Sequence, residues 1–512
     1  MTPPNEQAVG IDLGTTYSAV AHLDPSGRPV TLVNAEGDLI TPSVVLFEGT
    51  SVIVGKEARK AIATDANQVA DCAKRDLGSR VYHKLLEGRQ YPPEAVAGFI
   101  LNKLRLDAQR QIGQFKKVVI TVPAYFDEVR RKSTQDAGYM AGFEVLDIIN
   151  EPTAAAVAYG FQKGFLDETG SAREAQNVLV YDLGGGTFDV TVMRLEGADF
   201  RTLATDGDVQ LGGRDWDTRL IDFVAEDFIR RHSLDPREDP NAAGRLWREC
   251  EDAKRTLSAR QRANIACDYK GQAARVEITR EKFQEITHDL LDRTRFTVRQ
   301  TLLAAGLEWD DIDRVLLVGG STRMPMVSDM LRELSGKIAD NSVAADEAVA
   351  HGAALQAGLA LARAAGRKGR FHIENVNSHS LGVVATDPQT QRKRNACVIP
   401  RNTPLPVNAK RQFKTQKQNQ KTILVQIVEG ESKMPDECLQ IGKCVVRDLP
   451  PDLPPGTPID VRFRYEENGR LTIVVTVGNN GTELRHEITR DNTLTQGQLD
   501  RWRKYIAGTA VS

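Results

Sequence analysis

The chain has 512 residues, too many for one hydrophobic core, so several domains are expected. It is 41% hydrophobic and 27% charged, as globular proteins are, and a net charge of −2 gives no global reason to expect nucleic acid or a membrane as a partner. No apolar run approaches a membrane span, the start MTPPNEQAVGIDLG has no basic-then-apolar leader, and six scattered cysteines without a CxxC pair fit a reducing cytoplasm.

The first informative element is AVGIDLGTTYSAVAHL, in which Asp12-Leu13-Gly14-Thr15-Thr16 sits between two apolar, β-branched stretches. That pattern predicts a strand, a tight turn and a returning strand. Glycines at such a turn let successive backbone N–H groups approach phosphate oxygens, and the aspartate beside it is placed to hold magnesium through its water shell. About 170 residues on, NVLVYDLGGGTFDVTVMRL repeats the arrangement with Asp182-Leu183-Gly184-Gly185-Gly186-Thr187. One glycine-rich hairpin is more often only a turn; two with the same Asp-Leu-Gly start, a domain apart, predict a polyphosphate gripped from both sides. Neither is a GxxxxGK[ST] loop or a GxGxxG turn.

Between and after the hairpins, strand-like runs such as KKVVITVPAYF alternate with amphipathic helical ones, predicting α/β architecture to about residue 365. Residues 366–378 are polar and basic and read as a linker. From 379 to 492 short alternating strands with Asn-Gly turns at 468–469 and 480–481 predict an antiparallel β-domain. A single short helix follows within 493–512. Its sheet carries basic residues (Lys410, Arg411, Lys414, Lys417, Lys421) alternating with polar ones, which reads as a solvated face rather than a nucleic-acid site.

Taken together, GIDLGTTYS (10–18), VPAYF (122–126), INEPTAAAVAYG (149–160), VYDLGGGTFDV (180–190), LGGRDWD (211–217), AKRTLS (253–258), LLVGGSTRMPMV (316–327) and DEAVAHGAA (346–354) resemble the 70-kDa heat-shock chaperone family, the DnaK-type chaperones, in order and spacing. SLGV (380–383), IPRNTPLP (399–406), QFKT (412–415) and VEGES (428–432) extend the resemblance more weakly into the β-domain. It implies an actin-like two-lobed ATPase (8–365), a β-sandwich that binds peptide (379–492) and a tail (493–512) standing in place of most of the family's helical lid. It also implies slow ATP hydrolysis to ADP, with magnesium and also potassium as expected ions. Extended hydrophobic client segments, a J-domain co-chaperone and a nucleotide-exchange factor are the implied partners of a cytoplasmic monomer.

Residue by residue, the resemblance gives Asp12 and Asp182 to hydrated magnesium and gives Gly14, Thr15, Thr16, Tyr17, Gly184, Gly185, Gly186 and Thr187 to the phosphates. It makes Lys74 the catalytic lysine, although a surface lysine beside Arg75 is the ordinary reading. Glu151 becomes a residue that positions water or the hydrated metal, although glutamate before proline is often only a helix cap. Glu251, Lys254, Arg255 and Ser258 lie at helical spacing; the plain reading is a charged exposed face, and the resemblance gives them to adenosine, with Arg255 on the base. Gly212, Gly213, Gly319, Gly320, Ser321, Arg323 and Asp346 close the pocket, and Pro123 with Arg131 form an interdomain relay. Val383, Phe413, Ile423 and Val425 match the peptide channel, against which stands the plain reading of sandwich core.

Several positions depart from the family. The linker GRKGRFHIENV is basic where the family's is leucine-rich, which argues against the usual interdomain docking. Thr386 and Gln416 stand at the arch over the peptide, Arg470 at an apolar pocket position, and Arg214 where an acidic residue is expected. The rivals are an actin-fold sugar-type kinase and an actin-like filament protein; AKRTLS, VPAYF and the added β-domain favour the chaperone over both.

Overall fold

A computed structural model describes residues 7–165, 174–340, 342–367, 369–387, 389–415, 417–418, 421–446, 454–466, 471–477, 482–485 (backbone only) and 494–512. Two sheets of the same plan form the first two-thirds. In the first lobe the hairpin Ala8–Leu13/Tyr17–Leu23 is extended by Pro29–Leu32 on one side and, in parallel, by Lys117–Val122 and Glu144–Asn150 on the other. In the second lobe the hairpin Gln176–Leu183/Phe188–Glu196 pairs in parallel with Arg314–Val318 on one side and continues through Asp199–Asp208 on the other. The central strands read VGIDL and VLVYDL because they are covered on both faces, where alternation gives way to continuous apolar residues. Each acidic glycine turn therefore ends the middle of a buried sheet.

Helices Glu151–Gln162 and Ala348–Ala364, rich in alanine, pack against each other between the sheets. Their approach is so close that a Cβ on Gly352 would collide with the Ala154 carbonyl. Helix Pro240–Ala259 starts on Asp239, whose carboxylate accepts from the Ala242 amide at 2.7 Å, with proline in the first turn where its missing N–H costs nothing.

The linker docks in spite of its charge. His372–Glu374 adds to the second lobe's sheet as a parallel strand on Asp199–Arg201, and the His372 amide donates to the Ala198 carbonyl at 2.9 Å. Phe371 and Ile373 are buried beside it, Phe371 edge-on to Phe200 at 6.0 Å. The expectation of poor docking fails because backbone hydrogen bonds supply the strand addition and two alternate apolar residues suffice to anchor it.

Beyond it, two four-stranded antiparallel sheets face each other. One runs Lys393–Ile399, Leu381–Thr386, Ile423–Glu429, Leu439–Val446; the other runs Val407–Lys414, Pro458–Tyr465, Leu471–Val477, Thr482–Arg485. Strand Pro458–Tyr465 buries every second residue, as one face on a core requires. The sandwich sits on the two lobes. The Glu128 amide donates to Glu429 Oε2 at 3.1 Å, His379 Nε2 meets the Tyr125 carbonyl at 2.9 Å, and Arg401 pairs with Asp206 at 3.0 Å. The Asn-Gly turns, Gln416 and Arg470 lie outside the described residues.

The final helix, Gln496–Gly508, does not cover the sandwich. It packs on helices Pro93–Ile112 and Glu128–Met140 of the first lobe, with Trp502 5.6 Å from Tyr91 and the Tyr139 hydroxyl 2.6 Å from Asp500. Ala510–Val511 then pairs in parallel with Ser51–Val52. Among the described residues no helix is long and apolar enough to cross a membrane.

Candidate nucleotide site

The two glycine turns meet face to face. A Cβ on Gly185 or Gly186 would come under 3.0 Å from the side chains of Thr16 and Thr15, so only glycine allows the threonine turn to approach this closely. Between them opens a cavity of about 450 Å³, large enough for a nucleotide. Asp12, Gly14, Thr15, Thr16, Tyr17, Lys74, Glu151, Asp182, Gly184, Gly185, Thr187 and Gly213 line it. So do Glu251, Lys254, Arg255, Ser258, Gly319, Gly320, Ser321, Arg323 and Asp346. Gly186 and Gly212 are not on the wall but hold it up: Gly212 leaves no room for a Cβ against Gly186, and the next amide, of Gly213, donates to the Gly184 carbonyl at 3.0 Å.

At the base, Lys74 is 4% exposed and its Nζ is paired with Glu151 Oε1. Glu151 is the first residue of its helix, where the dipole favours a carboxylate. Asp12 accepts from Thr121 at 3.0 Å; burial, then the charge of Glu151, pushes its carboxyl up to about 7. Burial, then Glu151, Asp189 and Asp12, raise Asp182 well above the ordinary carboxylate range, and Asp189 is pushed up to about 7 by burial and Glu151. Four carboxyls thus share one lysine at the base of the cleft, an excess of negative charge that a divalent cation fits. Among the described residues no three acidic, histidine or cysteine side chains converge to ligate a metal directly.

On the wall formed by helix Pro240–Ala259, Lys254 Nζ donates to the Gly213 carbonyl at 2.7 Å and pairs with Asp217 at 2.6 Å. The Ser258 hydroxyl turns back onto the Lys254 carbonyl. Arg255 reaches across the cleft, donating to the Tyr17 hydroxyl and to Glu251, each at 2.8 Å, and Arg59 from the first lobe joins the same two partners. Sequence reasoning missed Arg59, Asp217 and Trp247. Arg59 and Trp247 have no local signature and Asp217 is only the last residue of LGGRDWD; Arg59 meets Glu251 across the cleft, whereas Asp217 and Lys254 sit on neighbouring helices of one lobe.

Pro123 is buried, its carbonyl accepting from Phe126 at 3.2 Å, and Arg131 donates to the carbonyls of Ala124 and Phe126 and to Asn150. Between them Tyr125 links the cleft to the sandwich, its amide donating to Asp189 at 3.0 Å while its carbonyl faces His379. Val383, Ile423 and Val425 are buried and Phe413 partly buried in one apolar cluster of the sandwich. That brings the four together, as sandwich core also would. Thr386 is half-buried at a strand end.

Residues 8–507 match the family described as Hsp70 protein. The chain is 38% identical to the chaperone protein DnaK of Thermotoga neapolitana, over 98% of this chain and 83% of that one. Against the chaperone proteins DnaK of Thermosipho africanus and Thermosipho melanesiensis it is 37% and 35% identical, over 96% and 98% of this chain and 82% and 83% of theirs. On this match along nearly its whole length, the chain belongs to the Hsp70 family.

Proposed function

We propose that the protein is an ATP-dependent chaperone of the DnaK type, in which slow hydrolysis of ATP switches the β-sandwich between weak and tight binding of extended hydrophobic client segments. The observation that carries this reading is that the two phosphate hairpins, the Lys74–Glu151 pair and the docked sandwich lie along one connected path through Tyr125.

The phosphates would rest against the Thr15–Thr16 and Gly184–Thr187 turns, with Lys74 beside the terminal phosphate to orient water and offset growing charge. Glu151 holds Lys74 in place. Magnesium, when bound, would neutralise phosphate charge, with Asp12 and Asp182 holding its water shell. Potassium is a further expected ion. Positioning and electrostatics are the proposed source of catalysis, with slow turnover. Val383, Phe413, Ile423 and Val425 are the proposed channel residues, and Pro123 and Arg131 brace the segment that reports on the nucleotide. A cytoplasmic location, a monomeric state and service by a J-domain co-chaperone and an exchange factor go with this reading. A kinase or filament reading gains nothing from a docked β-domain.

Steady-state hydrolysis should rise when a permanently unfolded polypeptide is added, because linkage makes client and nucleotide affect each other reciprocally. Hydrolysis indifferent to clients, with phosphate transferred to a sugar instead, would favour the kinase.

A further inference from the structure

We propose that Arg214 is a positioning residue for hydrolysis: with Asp71 it clamps the segment carrying Lys74 onto the second phosphate hairpin. The inference rests on the site reading above and assigns it a part that the sequence marked only as a charge in the wrong place.

Arg214 is the second residue of helix Gly213–His232, and its amide donates to the Gly185 carbonyl at 2.9 Å, tying its backbone to the hairpin. Its side chain crosses the cleft. The guanidinium lies 2.8 Å from Asp71 Oδ2 and 4.0 Å from the centroid of the Trp247 ring. Asp71 is itself held, its amide and carbonyl both bonded to the hydroxyl of the fully buried Tyr82, at 3.0 and 2.7 Å. Lys74 stands three residues further on, after Cys72 turns the chain at φ 54°. The next residue, Arg75, makes the return crossing: it meets Asp215 Oδ2 at 2.5 Å, and its Nε donates to the Gly186 carbonyl at 2.8 Å. The signs are crossed, with Asp71 and Arg75 on the first lobe facing Arg214 and Asp215 on the second.

Surface ion pairs contribute little, but these four side chains are only 15–26% exposed and two of them are also bonded to the main chain they steady. The segment that carries Lys74 cannot move away from the hairpin without breaking both pairs. Since hydrolysis depends on placement rather than on a strong base, a small displacement of Lys74 is felt in the rate.

The test is single-turnover hydrolysis and ATP affinity for R214A, D71A, the double variant and R214K, with K74A beside them and thermal midpoints to verify folding. Each single alanine should slow turnover about tenfold with ATP affinity changed less than about threefold. The double variant should be no slower than the singles, and R214K should recover most of the rate, since the pair acts as one unit. Additive losses, or weakened ATP binding at unchanged turnover, would mean that Arg214 acts alone on the nucleotide and would overturn the clamp. Normal turnover in R214A with K74A inactive sinks the clamp alone; normal turnover in K74A sinks the site reading beneath it.

Discussion

In the mechanism proposed above, the chemistry turns on Lys74 and Glu151. A buried ammonium without its carboxylate would be costly, and a buried carboxylate without its ammonium would add to three crowded neighbours. Replacing Lys74 with alanine should therefore lower single-turnover hydrolysis by roughly a hundredfold or more while ATP still binds, measured by rapid mixing of radiolabelled ATP. Glu151→Gln keeps the shape and removes the charge; it should slow hydrolysis too, and wild-type turnover there would remove Glu151 from the mechanism. At this scale much was legible from sequence. Glycines 14, 184, 185 and 186 are visible because the backbone they permit is their whole purpose. Arg59, Asp217 and Trp247 were not, since their partners Glu251, Lys254 and Arg214 lie far along the chain and only tertiary packing pairs them.

Among elements, the crossing of helices Glu151–Gln162 and Ala348–Ala364 is set by Gly352. Gly352→Ala would drive a methyl group into the Ala154 carbonyl. It should destabilise the ATPase domain by about 1–3 kcal/mol, seen as a lower denaturant midpoint, and slow hydrolysis by shifting the helix that begins at Glu151. The seam between helix Glu128–Met140 and strand Ile423–Glu429 adds a pH dependence. Burial, then the charge of Asp127, holds Glu429 well above its ordinary 4.5, with Glu128 adding to the rise and the Glu128 amide and Arg131 opposing it. Docking therefore takes up a proton, and this contribution fades as pH rises from 4.5 through the docked value. His379 acts oppositely: burial holds it below 6.5, so its contribution fades as pH falls below 6.5. Energy transfer between labels on the first lobe and the sandwich, with ATP across about pH 5–8, should show Glu429→Gln removing the loss at the alkaline end alone. Unchanged alkaline behaviour would mean that Glu429 is not the group responsible. The sequence announced the hairpins of this sandwich, but not which edge faces the lobes. It announced a short final helix, but not that Tyr91 and Phe99 are the surface it meets.

For the whole molecule, the question is whether nucleotide and client speak through the docked linker. Its basic residues suggested poor docking, yet Phe371 and Ile373 are inside and the backbone between them is paired. Charge on the outward positions does not decide an edge-strand addition; the two inward positions do. Replacing Ile373 with aspartate should therefore uncouple the domains, abolishing client stimulation of ATPase activity while basal hydrolysis continues. The most direct measurement of coupling is the dissociation rate of a fluorescent hydrophobic heptapeptide from the protein loaded with ATP or with ADP. Coupled domains predict release at least about tenfold faster in ATP than in ADP. Equal release rates in the two states would contradict the account, leaving an ATPase and a peptide holder that share a chain but not a cycle.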